Sequence, residues 1–176
     1  MNGQRGETSA RFRCQKTLTP GRTAVDPAAA EIEPARATDL SVLVELDRVC
    51  FGRLAWPPAA WVEAVTDPEW TTLVIRRAGT PVAAVVLLLW PPSAHVASIG
   101  VHPDHRDRGL GRSLLRDATW RARDCGARLL ALEVDLANVA ARRLYWREGF
   151  GLVRRFREDG RWRVEMHRRL RRDDGG

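Results

Sequence analysis

The feature that most constrains this chain is a glycine-containing turn between a strand pattern and a helix pattern. The apolar segment Val96–Val101 predicts a strand, Ser113–Cys125 predicts a long helix, and Gly109 and Gly111 lie between them. Glycine lets a backbone approach a ligand closely, and the first N–H groups of a helix have no partner within it. With arginines beside it, such a turn is typical of an anion-binding site.

The spacing excludes two common phosphate-binding motifs. A dinucleotide-binding G-x-G-x-x-G would need a glycine where this chain has Leu114, and a P-loop would need Gly-Lys followed by Ser or Thr, which the chain lacks. A glycine-rich turn that merely starts a helix is the alternative interpretation.

The N-terminal part predicts an extension followed by one domain. Residues 1–29 contain few large apolar residues and no periodicity, so we expect a flexible extension. The domain should span 30–172, with a disordered tail at 173–176. Its first predicted elements are a strand at Ile32–Arg36, a helix after Asp39, a helix at Pro58–Val65, and strands at Thr71–Arg76 and Val82–Trp90.

The C-terminal part completes an α/β fold. Leu129–Val134 predicts a buried strand, parallel to Val96–Val101 across the long helix. A helix follows from Asn138 to Tyr145, and a hairpin has its arms at Gly151–Phe156 and Trp162–Met166. We therefore expect a mixed, mostly antiparallel sheet with one central parallel pair, flanked by helices.

Two motifs in this order resemble the GNAT family of acetyl-CoA-dependent N-acetyltransferases. The first is V-x-P-x-x-R-x-x-G-x-G, from Val101 to Gly111; the second is N-x-x-A-x-x-L-Y-x-x-x-G-F, from Asn138 to Phe150, with an L-E-V strand between them. Over about residues 31–170 the chain is most similar to the RimI-type branch, which acetylates N-terminal α-amino groups of ribosomal proteins. The resemblance implies the GNAT fold, whose central parallel strands splay apart at one end, and acetyl-CoA as acetyl donor.

The resemblance also implies where acetyl-CoA binds. Its pantetheine arm would enter the gap between the splayed strands, and its pyrophosphate would lie on the glycine turn, which we define as residues 106–112. Asn138 would donate or accept a hydrogen bond with the cofactor arm, although helix N-capping explains this residue equally well. The implied cofactor residues are Ile99, Gly100, Val101, Arg106, Asp107, Arg108, Gly109, Leu110, Gly111, Arg112 and Asn138.

A carboxylate within an apolar strand indicates a candidate general base. An unpaired charge is costly there, so Glu133 requires a partner or a function. In the RimI-type pattern the base is a glutamate at the equivalent position. A strand-end glutamate that points to solvent is the alternative, and Asp135, which should face the same side of the strand, could replace Glu133.

The only tyrosine of the chain, Tyr145, is the candidate general acid. Its predicted helix face also carries Leu144, so a buried aromatic residue is the alternative, but a buried hydroxyl still needs a partner. The resemblance implies that Tyr145 protonates the departing CoA thiolate.

The sequence does not favour a metal site. His102, Asp104 and His105 could suggest one, but they lie in the loop that leads into the glycine turn, so we expect no metal.

We expect a cytoplasmic protein. The cysteines at positions 14, 50 and 125 have an odd count and no C-x-x-C spacing, which suggests neither a disulfide framework nor a zinc site. The longest apolar run, Val82–Trp90, is far shorter than the roughly 20 residues that span a bilayer.

The net charge of +7 comes almost wholly from arginine, and arginines are densest between Arg154 and Arg172. This hairpin could attract RNA or another acidic partner. Because no known nucleic-acid-binding motif accompanies it, a solvated surface is favoured. Both a monomer and a homodimer fit the sequence.

The acceptor amine stays open. The RimI-type resemblance implies a protein N-terminus as acceptor and Phe51–Trp61 as a wall of its site. However, Phe156–Trp162 is a short charged turn where that branch has a longer, tyrosine-bearing loop. A small-molecule amine or a lysine is therefore an alternative acceptor. A non-catalytic basic module that binds acyl-CoA or RNA is the alternative function.

Overall fold

A seven-stranded mixed sheet forms the centre of the protein. The computed structural model describes residues 31–170. The strands lie in the order β1-β2-β3-β4-β5-β7-β6, and every neighbouring pair is antiparallel except β4 and β5. The predicted α/β fold with a mixed, mostly antiparallel sheet is confirmed. The strands are β1 (Ile32–Pro34), β2 (Trp70–Arg77), β3 (Thr80–Trp90), β4 (Ser93–Val101), β5 (Leu129–Asp135), β6 (Gly151–Glu158) and β7 (Arg161–Arg169).

Helices pack on both faces of this sheet. Successive residues of a strand point to opposite faces. Leu73 and Ile75 of β2 therefore belong to the core beneath α3 and α4, whereas Val74 packs with Leu43 of α1 and Trp61 of α2. The α-helices of the described chain are α1 (Leu40–Phe51), α2 (Pro58–Thr66), α3 (Leu110–Asp124) and α4 (Val139–Arg147).

The parallel strands β4 and β5 separate after four residue pairs. Ser93–Val96 pairs with Leu129–Leu132, and the remaining residues of these two strands do not pair with each other. The separation begins at a register shift between β3 and β4, where Ala97 has no opposite residue. A bulge of this kind bends a strand. The expected gap between the carboxyl ends of the two strands is therefore present.

Most predicted boundaries agree with the structure within a few residues. The helix α3 begins at Leu110, three residues before the predicted start, because Gly109 takes the left-handed conformation as its N-cap. The last strand continues to Arg169, beyond the predicted end at Met166, because it pairs with β5 as far as Leu129.

The predicted extension at 1–29 and the tail at 173–176 lie outside the described residues. Within 31–170, no helix is long and apolar enough to cross a membrane. Cys50 is a free cysteine. The cysteine at position 14 lies outside the described residues, so the expectation of no disulfide framework stays a prediction.

Candidate active site

The glycine turn presents a row of unpaired backbone donors. Asp107 and Gly109 both have positive φ angles, of 58° and 77°. The first hydrogen bond of α3 is donated by the Ser113 N–H to the Gly109 carbonyl, at 3.0 Å. The N–H groups of residues 107–112 donate to no group of the described chain. Converging N–H groups at a helix start, with alternating backbone handedness, form a concavity suited to an anion.

A cleft of about 670 Å³ opens beside this turn. It contains every cofactor residue implied by the sequence except Arg108, whose side chain does not line it. The sequence interpretation assigned none of the further lining residues to the cofactor, although it placed Phe51 at the acceptor site; most of them come from the end of α1 and from α4. They are Cys50, Phe51, His105, Ala140, Ala141, Arg143, Leu144 and Arg147.

The backbone of β4 faces the gap at two of its last residues. The His102 N–H donates to the Val82 carbonyl at 2.8 Å, and Val101 lies opposite Ala83. In an antiparallel ladder, hydrogen-bonded and non-hydrogen-bonded pairs alternate. The N–H and C=O groups of Val101 and Ile99 therefore point away from β3, towards the gap between β4 and β5.

A buried carboxylate fixes one arginine of the turn. The Arg112 Nε donates to Glu148 at 2.6 Å, and the Arg116 Nε donates to the other oxygen at 3.0 Å. Burial opposes ionisation of Glu148, but these two hydrogen bonds outweigh it and hold its pKa below the usual range. Arg112 is thereby positioned along the cleft.

The cysteine of the cleft packs closely against β4. Cys50 Sγ donates to the Val101 carbonyl at 3.3 Å. A Cβ atom on Gly100 would lie only 3.3 Å from this sulfur and 3.3 Å from the Phe51 ring, so a side chain there would have to displace Cys50 or Phe51 slightly. Burial raises the pKa of the Cys50 thiol. The thiol is therefore protonated near neutral pH and is a poor nucleophile.

A second cavity of about 260 Å³ adjoins the cleft. Both contain Phe51, Ile99, Asn138 and Ala141, so they meet where β4 and β5 separate. The smaller cavity contains both candidate catalytic residues, Glu133 and Tyr145, which the larger cleft does not.

Glu133 lies on the half-exposed face of β5, with its side chain 29% exposed. Its one ion pair within the described residues is with Arg163 Nη2, at 3.3 Å. Asp135 lies on the same face, as expected, but its two oxygens are occupied by the Ala137 N–H at 2.8 Å and by Arg161 at 2.9 Å. Of the two carboxylates, Glu133 has more of its oxygen lone pairs free for a bound molecule.

Tyr145 is buried between α4 and the sheet, 6% exposed, and its ring packs on Phe150 with centroids 6.0 Å apart. Burial raises its pKa well above the ordinary value for tyrosine. Its hydroxyl makes no hydrogen bond within residues 31–170, although the residue lines the smaller cavity. The arrangement leaves a protonated, unpartnered donor beside the junction of the cavities.

Asn138 both caps a helix and lies at the cleft, the two roles considered from the sequence. Its side chain caps α4 by accepting from the Ala141 N–H at 3.1 Å, and it also lines both cavities. Capping occupies the amide oxygen, which leaves the amide NH₂ group able to donate to a bound molecule.

The sequence interpretation missed two ionisable groups, Asp47, which is buried, and His95, which is half-buried. Asp47 of α1 lines it and accepts from the Trp56 N–H at 2.6 Å, which fixes the α1–α2 connection; burial raises the Asp47 pKa. Burial lowers the pKa of His95, an effect that Glu133 and Glu165 oppose, so His95 is neutral near pH 7. Both residues are far in sequence from Glu133 and Tyr145, so no motif spacing pointed to either of them.

His102, in the loop before the glycine turn, has a local structural role. His102 Nδ1 accepts from the Asp104 N–H at 3.3 Å and caps the 3₁₀ turn Pro103–His105. No group of three metal-ligating side chains converges anywhere between residues 31 and 170.

Three arginines of the basic hairpin pair with acidic side chains of the same domain. Arg154 pairs with Glu165, Arg161 with Asp135, and Arg163 with Glu133 and Glu158. This pairing reduces the charge available to an external polyanion.

Comparison with known proteins agrees with this geometry. The profile of the acetyltransferase (GNAT) family matches residues 40–151. The N-alpha-acetyltransferase RimI of Mycobacterium tuberculosis is 37% identical over 126 residues, which cover 67% of this chain and 78% of that protein. The L-amino acid N-acyltransferase MnaT of Escherichia coli is 33% identical over 96 residues. That match covers 52% of this chain and only 56% of the length of MnaT.

Solved structures share the fold. The ribosomal-protein-S18-alanine N-acetyltransferase of Escherichia coli superimposes with a TM-score of 0.73 at 22% identity, over 82% of this chain and 97% of that one. Other solved structures with this fold contain CoA or acetyl-CoA.

Proposed function

The chain belongs to the acetyltransferase (GNAT) family and is an acetyl-CoA-dependent N-acetyltransferase, and we propose that it acetylates an α-amino group by direct transfer. The observation that carries this proposal is the meeting of two cavities at the splayed strands. The larger one has unpaired N–H donors at the glycine turn, and the smaller one contains Glu133 and Tyr145.

The cleft suits acetyl-CoA in both of its parts. The N–H groups of residues 107–112 and the side chain of Arg112 would bind the pyrophosphate. The backbone of Ile99 and the N–H of Val101 face the gap and would pair with the amide groups of the pantetheine arm. The Val101 carbonyl already accepts from Cys50 and Arg106. The thioester would then lie at the junction of the cavities.

In the proposed mechanism, Glu133 and Tyr145 each carry out one proton transfer. Glu133 takes a proton from the acceptor ammonium, directly or through a water, and the neutral nitrogen attacks the thioester carbonyl. A backbone N–H near Val101 stabilises the oxyanion of the tetrahedral intermediate. The C–S bond then breaks, and Tyr145 gives its proton to the departing thiolate.

An α-amine needs less deprotonation by the enzyme than a lysine side chain does. The pKa of the α-amine at a peptide or protein N-terminus is roughly 7.7 to 8.0, against about 10.4 for lysine, so more of it is neutral near pH 7. The match to an N-alpha-acetyltransferase over two thirds of the chain supports the same class. The cytoplasmic location expected from the sequence stays a prediction.

Release of CoA thiol tests this function. The purified protein is incubated with acetyl-CoA and a panel of free amino acids, peptides with free N-termini, and lysine side-chain analogues, and the acetylated product is identified by mass spectrometry. We expect acetylation of α-amines. Binding of acetyl-CoA without thiol release on any amine would instead favour the non-catalytic module.

A further inference from the structure

The smaller cavity contains charges of both signs, which an ammonium alone does not require. Arg161 and Arg163 of β7 line it beside Glu133 and Asp135 of β5. Guanidinium groups repel an ammonium ion, and they bind carboxylates well because their N–H donors match the two oxygens. An acceptor with an amine and a carboxylate would satisfy both signs.

The two arginine–carboxylate ion pairs of this cavity differ in length and in the other contacts of the carboxylate. Arg161 bonds Asp135 at 2.9 Å, and the second oxygen of Asp135 is held by a backbone N–H. The contact of Arg163 Nη2 with Glu133 is longer, at 3.3 Å. Replacing the Arg163–Glu133 contact by a ligand therefore costs less free energy than replacing the Arg161–Asp135 contact.

Arg163 is held in place by contacts outside the cavity. Its other terminal nitrogen pairs with Glu158 at the end of the hairpin, and its guanidinium lies 5.9 Å from the centre of the Phe156 ring. These contacts remain when the Glu133 contact is broken. The guanidinium is thus a pre-positioned donor, which lowers the entropy cost of binding a ligand.

The size and the lining of the cavity favour a small acceptor. Its 260 Å³ is below the about 300 to 1,000 Å³ typical of pockets for drug-sized ligands. Phe51, Leu54 and Trp56 form an apolar wall opposite the charged residues. One amino-acid residue with an apolar side chain matches this combination.

We propose that the acceptor is a free α-amino acid with an apolar side chain, whose carboxylate binds Arg163 while its ammonium lies at Glu133. This inference rests on the acetyl transfer proposed above. The carboxylate takes the place of Glu133 on Arg163, which leaves Glu133 available to receive the ammonium proton. The amine nitrogen then bonds to the acetyl carbon, and the C–S bond breaks with the thiolate protonated by Tyr145.

Matched pairs of substrates test the proposal. The kcat/KM for L-leucine and L-methionine is compared with that for their amides and for dipeptides that begin with the same residue. The amides have less basic amines, so a larger neutral fraction favours them chemically. A preference for the acid must therefore come from binding, and we expect roughly ten- to a hundredfold, the range for a hydrogen bond to a charged group.

A variant pair assigns that preference to one residue. In Arg163→Gln, the acid-to-amide ratio of kcat/KM should fall towards one while amide acetylation continues. Arg163→Lys, which keeps the charge without the planar donor pair, should retain part of the ratio. The control is Arg157→Gln, in the same hairpin but outside both cavities, which should keep the wild-type ratio.

The outcomes separate the two proposals. Equal or faster acetylation of amides or dipeptides by the wild-type protein would overturn the amino-acid proposal and leave acetyl transfer to α-amines standing. An unchanged ratio in Arg163→Gln would overturn the role of Arg163. Failure to acetylate any α-amine in the presence of bound acetyl-CoA would overturn the proposed function itself.

Discussion

Tyr145 and Glu133 occupy opposite kinds of environment within one cavity. Tyr145 is buried and keeps its proton, and its hydroxyl finds no partner in the described chain. The residue lines the smaller cavity, where a bound substrate can supply a hydrogen-bond partner. Glu133 is only partly buried and ion-paired. One group is thus suited to donate a proton and the other to accept one.

Cys50 provides a test of direct transfer at the scale of one side chain. It is the free cysteine of the cleft, but its raised pKa and its hydrogen bond to Val101 keep it protonated. We expect Cys50→Ala to retain kcat within a few-fold, and intact-mass spectra of wild-type protein with acetyl-CoA alone to show no acetylated enzyme. An acetyl group on Cys50 that later moves to an added amine would refute direct transfer.

At the scale of elements, the junction between β4 and α3 determines the cofactor site. The bulge at Ala97 turns β4 away from β5, and Gly109 starts α3 in the left-handed conformation. The first feature opens the gap, and the second aims the unpaired N–H groups at its mouth. Both depend on backbone geometry more than on side-chain chemistry.

A pair of glycine variants tests the turn. Gly109 and Gly126 lie at the two ends of α3, both have positive φ, and a Cβ atom added to either would have no neighbouring atom within 4 Å. Alanine therefore costs each about 1 to 2 kcal/mol of backbone strain. We expect only Gly109→Ala to weaken acetyl-CoA binding, by roughly ten- to a hundredfold, as measured by calorimetry. Equal affinity in the two variants would contradict the assignment.

The first helix is tied to the sheet by a half-buried charge cluster. Arg76 of β2 bonds Asp39, the N-cap of α1, with its two terminal nitrogens at 2.8 and 2.7 Å, and it also pairs with Glu33 of β1. The hydrogen bond from Arg76 lowers the pKa of Asp39 below its ordinary value of 3.8. This cluster supports the helix from which Asp47, Cys50 and Phe51 reach the two cavities.

Stability should therefore depend on pH through Asp39. Because its folded-state pKa is lowered, its contribution is present above the ordinary pKa and disappears as the pH falls through the folded value. At pH 7 we expect Asp39→Asn to lower the free energy of unfolding by roughly 1 to 3 kcal/mol in urea titrations, and this difference to shrink below about pH 4. The control Glu45→Gln, in an exposed pair with Arg48, should change little. A loss independent of pH would contradict the role of the charge.

At the scale of the whole molecule, local sequence patterns predicted the elements and the helix starts. Apolar segments bounded by turn residues predicted the strands, and the glycines and Asn138 indicated the two helix starts that line the cleft, the first of them to within three residues. The role of Arg163 could not be predicted, because it depends on the register of β7 against β5. The packing of Cys50 on Gly100 joins positions 50 residues apart in the chain, for which sequence spacing carries no signal.

The function itself depends on bringing distant segments together. The acceptor cavity combines the end of α1, the splayed strands, α4 and the last hairpin, which extend from Asp47 to Arg163. Each segment alone has an ordinary structural explanation. Only their convergence beside the unpaired N–H donors of the glycine turn indicates a site for acetyl transfer, because helix caps and ion pairs taken singly do not.

The rate of N-acetyl product formation by the double variant Glu133→Gln, Tyr145→Phe tests this account most directly. Both substitutions keep the shape of the side chain and remove its proton chemistry, so acetyl-CoA affinity should stay near that of the wild type. We predict that kcat falls by at least the roughly 10²- to 10⁴-fold expected for one general acid or base. Wild-type turnover in this variant would contradict the account.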